Sequence, residues 1–232
     1  MKRIVLIIAA AVVALPAAQA QSGFPFKDEL LHYSINWQSG LSLGDAGLTA
    51  RKLPTGWNFD VSVSVGIPGF SIDDHFRSAT DTGFCSQELV RKLNHAGKRT
   101  EEKTTFDQKM QTAERVTTFP TDGGKTNFDI PACARDALAF VYWARTELGQ
   151  GRMPPAQQVY LGAAYSVRMD YTGAQNLVVD RKSTVTDHVV ASVKGPKSDF
   201  TFEVFYARDP ARTPLQIRIP LVLGTFTLDL VR

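Results

Sequence analysis

Carboxylate and imidazole side chains crowd into Asp73-Asp74-His75-Phe76, the run in this chain best equipped for metal binding or acid–base work. In an extended strand, however, Asp73 and His75 share one face while Asp74 points to the other. A site would need further ligands from His32, His95 or His188, and nothing in their spacing foretells convergence. The run therefore reads as a solvated strand face or turn, with a metal or catalytic site as the alternative. No cofactor is called for. There is no G-x-S-x-G elbow and no H-E-x-x-H pair. "GGKT" at 123–126 ends like a phosphate loop, but Phe119 stands where the loop needs a glycine, and Asp122-Gly123-Gly124 is ordinary turn chemistry. "GQGRMP" at 149–154 lacks the third glycine of a dinucleotide fingerprint and reads as a helix exit.

Asp209, Arg212 and Pro214 set an acid and a guanidinium beside a turn. Pro210 fixes φ there and the Asp209 carboxylate can accept nearby N–H groups, so a structural role is favoured. Arg145 sits in an otherwise apolar helical segment and must reach water or pair with a carboxylate. "KRTEEKTTFDQK" at 98–109 mixes signs as a solvated strand or hairpin does and is not a basic patch. Trp37, Trp57, Phe59, Phe140, Tyr142, Trp143, Phe200, Phe202 and Tyr206 all fall on inward faces. Such aromatics ordinarily fill a core. A residual cavity would turn part of them into an apolar binding site, with Trp37, Phe59, Phe140, Trp143 and Phe202 as the candidate lining.

The elements that must position these residues are mostly strands. Period-two alternation is cleanest in "WNFDVSVSV", with Trp57, Phe59, Val61, Val63 and Val65 on one side, and recurs in "HYSINW", "FTFEVFY" and "LQIRI". One wet face implies antiparallel pairing. Turn signals at 53–56, 66–69, 94–97, 121–124, 194–199 and 208–214 divide the chain into about ten to twelve short strands. "FDIPACARDALAFVYWARTELGQG" breaks the pattern. Ala137, Phe140, Val141, Ala144 and Leu148 form a helical stripe with further apolar residues on its flanks, which predicts one buried helix over about 134–148. A helix about 10–12 Å across cannot cover ten strands spaced about 4.8 Å apart. The expected fold is therefore mainly β, an antiparallel sheet curled into a barrel or half-barrel around that helix. The small side chains Ala134, Ala137, Ala139 and Ala144 leave room beside it.

Lys2 and Arg3, the apolar run from Ile4 to Leu15 and Ala18-Gln19-Ala20 predict a secretory signal peptide over 1–20, followed by a single domain over 21–232. Export to the periplasm is the expected localisation. No later run is long and apolar enough for a transmembrane helix. After cleavage 24 cations face 23 anions, a balance that gives no field for a nucleic-acid partner. Cys85 and Cys133 are the two cysteines, and in an oxidising compartment they are expected to pair, two separate buried thiols being the alternative.

"ELLHYSINWQSGLSLGDAGL", "RDALAFVYWAR" and "FTFEVFYARDPARTPLQIRIPLVLGTFTLDL" together resemble the exported bacterial family called domain of unknown function 3108. The shared elements are E-x-x-x-Y with a following L-x-L-G, D-A-L-x-x-x-Y-x-x-R, and D-x-x-R-x-P before paired strands. The resemblance implies a periplasmic, mostly β protein and supplies no catalytic residues. The architecture is also similar to unclosed barrels of the lipoprotein-carrier type, a fold analogy. Three functions are open: a non-catalytic carrier of a lipid, acyl chain or other hydrophobic small molecule between sheet and helix; an envelope scaffold that acts through a protein partner at an edge strand; and a hydrolase with a site assembled from distant residues. An outer-membrane barrel is disfavoured, because the helix already claims the apolar face.

Overall fold

A computed structural model of the chain describes residues 28–231 apart from 68, 180, 197–198 and 222–223. The expected signal peptide and its cleavage after Ala20 lie outside the described residues. The elements are β1 (Asp28–Trp37), β2 (Ser42–Leu53), β3 (Gly56–Ile67), β4 (Phe70–Asp81), β5 (Ser86–His95), β6 (Lys98–Asp107), β7 (Thr112–Phe119), β8 (Lys125–Asp129), β9 (Arg135–Asp136), α1 (Ala137–Gly149), β10 (Gln157–Tyr160), β11 (Ala164–Val179), β12 (Lys182–Lys194), β13 (Asp199–Ala207), β14 (Pro214–Leu221) and β15 (Gly224–Val231). The fifteen strands among the described residues exceed the ten to twelve expected. The two-residue β9 and five-residue β8 are too short to carry a period.

All fifteen strands form one sheet in the order β8-β7-β6-β5-β4-β3-β2-β1-β15-β14-β13-β12-β11-β10-β9. Every neighbouring pair is antiparallel except β9 with β10. The turns stand where the sequence signals put them. At the β5–β6 turn, for instance, Ala96 (φ 51°) and Gly97 (φ 84°) join His95 to Lys98, the doubly left-handed geometry that matches strand twist. Laid flat, such a sheet would be about 70 Å wide at about 4.8 Å per strand. It curls around α1 instead and stays unclosed, since β8 and β9 end the order without pairing with each other.

The helix begins at Ala137, three residues later than expected, because Cys133 is left-handed (φ 53°) and Arg135–Asp136 are extended in β9. Asp136 caps it, accepting from Leu138 N (2.9 Å) and Ala139 N (3.0 Å). Its other carboxylate oxygen accepts from Ser78 Oγ and Ser86 Oγ, each at 2.6 Å. The helix start is thereby fixed to β4 and β5. Burial pushes the Asp136 carboxyl up, against these four donors. The Cys85–Cys133 disulfide, Ser86 N to Ala134 O (2.9 Å) and Gln108 Nε2 to Ser86 O (2.6 Å) complete the tie.

The core has two lobes with α1 between them. Leu138, Ala139 and Tyr142 pack with Trp57, Phe59, Phe84, Leu89 and Phe106, and Phe59 stacks on Tyr142 at 4.4 Å. Phe140 and Ala144 face Val159, Val167, Met169, Val189, Ala191, Val193, Val204 and Tyr206. The helix is not buried all round, for Val141 is 37% exposed. "LQIRI" does not stay one-sided either. A register shift at Phe205/Tyr206 separates Leu215, which packs with Leu177 and Phe205, from Ile217, which packs against the lobe of Val204. No helix among the described residues is long and apolar enough to cross a membrane.

Candidate functional site

The apolar stripe foreseen on the helix packs against the second lobe without filling the space beside it. Ala137, Phe140, Val141 and Ala144 line a cavity of about 320 Å³ between α1 and the second lobe of the sheet. The facing wall follows from strand alternation: Val159 from β10, Tyr165, Val167 and Met169 from β11, Ala191 and Val193 from β12, and Phe200, Phe202, Val204 and Tyr206 from β13. Leu48, Leu161, Pro214 and Ile217 complete it. Val141 and Phe200, 37% and 40% exposed, mark where it opens. Its volume lies at the lower end of the range for small-molecule sites, about 300–1,000 Å³. No lining residue carries a formal charge, so the cavity favours hydrocarbon over ions.

A second, smaller cavity of about 220 Å³ continues past the helix C-terminus, lined by Leu148, Met153, Tyr171 and the charged residues Arg152, Asp187 and Arg212. Tyr206 belongs to both walls. Burial pushes its phenol up to about 12, with Arg145 pulling the other way. It is a neutral group at any ordinary pH.

Beside Tyr206 lies a buried polar clamp. Arg145, fully buried, makes a two-pronged ion pair with Glu29 of β1, Nη1 to Oε2 at 2.6 Å and Nη2 to Oε1 at 2.8 Å. Its Nε donates to Ala211 O (3.1 Å) and Arg212 O (3.2 Å) in the β13–β14 turn. Tyr33 Oη donates to Pro214 O at 2.7 Å, and the Tyr142 ring lies 5.1 Å from the guanidinium. Asp209 holds that turn by accepting from Thr213 N (3.0 Å) and Thr213 Oγ1 (2.8 Å). Burial lowers the affinity of Arg145 for its proton, but Glu29 outweighs it and the net direction is up. Burial raises the phenols of Tyr33 and Tyr142 well above the usual tyrosine range.

The residues singled out from sequence scatter. Phe140 and Phe202 meet on the cavity wall. Phe59 is wholly buried in the first lobe. Trp143 is half-buried between the lobes, under the Arg135 guanidinium at 4.1 Å. Trp37 packs edge-on to Phe226 at 4.6 Å near the ends of β1 and β15. Asp73 is exposed, Asp74 faces His95 at 3.0 Å, and His75 faces Asp60 at 3.5 Å. His32 lies 3.7 Å from Asp45 and His188 2.9 Å from Glu203. Among the described residues no three His, Cys, Asp or Glu side chains are grouped to hold a metal. Val167, Met169, Ala191 and Val193 were passed over, although "YSVRM" and "VVASV" carry the same alternation.

A family model described as "Protein of unknown function (DUF3108)" matches residues 32–231. No curated protein matches the chain. Among solved structures, a beta-barrel-like protein of domain of unknown function DUF1849 from Brucella abortus is similar in fold, with a TM-score of 0.62, 8% identity, and coverage of 90% of this chain and 98% of that one.

Proposed function

This chain belongs to the DUF3108 family, and we propose that it is an exported, periplasmic envelope protein that holds one hydrocarbon chain of a lipid, without transforming it, in the cavity between α1 and the second lobe. The cavity carries this reading. It is uncharged and open at one end, and its helix stripe runs from Ala137 to Ala144. At about 1.5 Å per residue that track is about 10 Å long, which suits an extended alkyl segment. Export is supported by the Cys85–Cys133 disulfide, a bond that persists in oxidising compartments, and by the leader-like residues 1–20.

Each methylene moved from water into such a site is worth about 0.8 kcal/mol, so affinity should rise about fourfold per added methylene until the cavity is full. The test is displacement of a cavity-bound apolar fluorophore by alkyl compounds of increasing length. A rise followed by a plateau is expected. A chain-length-independent response, or no fluorophore binding, would remove the carrier reading and leave a packed envelope scaffold acting through a protein partner.

A further inference from the structure

The second cavity wall holds a polar atom that the hydrocarbon reading does not use. Tyr206 is 4% exposed, yet among the described residues its hydroxyl has no hydrogen-bond partner. Its neighbour Tyr33 donates to Pro214 O and Tyr160 donates to Gln158 Oε1. The hydroxyl oxygen is not among the fully buried unmatched side-chain atoms, so it faces cavity space from which a ligand or water can supply the missing bond. Tyr206 also lines both cavities.

Resting on the proposed lipid-chain site, we propose that Tyr206 Oη is the anchor that selects the ligand: it donates to the carbonyl oxygen of an uncharged acyl group whose hydrocarbon chain lies along Ala137, Phe140, Val141 and Ala144. The choice of a neutral carbonyl over a carboxylate follows from the wall of the first cavity, which no charged side chain lines. Arg145 is paired with Glu29 and Arg152 with Glu147 at 2.8 Å, while Arg208 and Arg212 share Asp187 at the second cavity. A carboxylate held against the uncharged wall would be buried without a counter-charge, which is costly. A phenol that keeps its proton up to about 12 is a steady donor. The polar remainder of an esterified lipid would extend past Tyr206 into the second cavity, where Asp187, Arg152 and Arg212 line the wall.

The test compares wild type with Tyr206→Phe, titrated at pH 7.5 with methyl decanoate, sodium decanoate and undecane in competition with N-phenyl-1-naphthylamine. Wild type should bind methyl decanoate more tightly than undecane and than ionised decanoate. Tyr206→Phe should lose roughly two- to tenfold in affinity for the ester, the range of one net hydrogen bond, and keep its affinity for undecane. Its melting temperature should stay within a few degrees of wild type. Equal effects on ester and alkane would overturn the anchor while leaving the hydrocarbon site standing. Decanoate binding as tightly as the ester would overturn the neutral head. A large loss of thermal stability would show that the hydroxyl is already partnered inside the protein, and would overturn the anchor too. Failure of wild type to bind any of the three would overturn both the anchor and the site beneath it.

Discussion

Replacing Glu29 by Gln leaves the fully buried Arg145 guanidinium without its counter-charge, although its Nε bonds to Ala211 O and Arg212 O remain. Removing one member of a buried pair costs about 3–5 kcal/mol. Glu29→Gln belongs at the upper end, because no water reaches Arg145. Arg145→Met belongs at the lower end, because the Glu29 side chain retains 11% exposure and can be partly hydrated. At about 2–4 °C per kcal/mol for a chain of this size, a loss of about 4 kcal/mol lowers the melting temperature by about 8–16 °C. The double variant strands no charge, so its cost should fall short of the summed single costs by about 2–3 kcal/mol. Urea unfolding of the four proteins closes the cycle. Additivity within about 0.5 kcal/mol would refute the claim that the two side chains work as one unit joining β1, α1 and the β13–β14 turn.

Alkali should unfold the protein steeply. The buried phenols of Tyr33, Tyr142 and Tyr206 are raised above 10, so above pH 10 the unfolded chain loses protons that the native state keeps, and stability present below pH 10 is lost as pH rises. Three such groups give a slope approaching about 4 kcal/mol per pH unit between about pH 10 and 12, and urea midpoints that stay flat across that window would count against it. Replacing Cys85 and Cys133 by Ser should cost about 4 kcal/mol for a loop closed over a separation of 48 residues, read from denaturant unfolding with and without the bridge. Trp143→Ala should cost about 3 kcal/mol and leave alkyl affinity unchanged, since the ring packs between the lobes and off the cavity wall. Ala144→Phe should do the reverse, lowering alkyl affinity at least tenfold for an overpacking cost of about 1–3 kcal/mol.

What could be read from the sequence followed its periodicities. Trp57 and Phe59 alternate with polar residues and are buried in β3, and the stripe Ala137-Phe140-Val141-Ala144 was visible at helical spacing. The width argument, one helix against a wide sheet, was enough to require curling. Long-range convergence was hidden. Glu29 and Arg145 are 116 residues apart and no local rule pairs them. In the structure the E-x-x-x-Y, D-A-L-x-x-x-Y-x-x-R and D-x-x-R-x-P elements come together through Glu29, Tyr33, Tyr142, Arg145 and the turn before Pro214. Those motifs mark the clamp that holds helix to sheet, and the cavity lies beside it. Aromatic size misdirected the choice of lining. Trp37, Phe59 and Trp143 pack against other rings or between lobes, whereas the wall sets Val159, Val167, Met169, Ala191 and Val193 on β10–β12 beside Phe140 and Phe202. The register shift that separates Leu215 from Ile217 leaves no mark in the alternation of "LQIRI".

The central claim, one hydrocarbon chain held between α1 and the second lobe, is tested most directly by native mass spectrometry of protein gently purified from the cell envelope, wild type beside Ala144→Phe. Wild type should carry an added mass corresponding to a single acyl lipid per chain, released on unfolding, and the filled-cavity variant should carry none. Wild type at the bare polypeptide mass, or the same adduct on both proteins, would contradict the account.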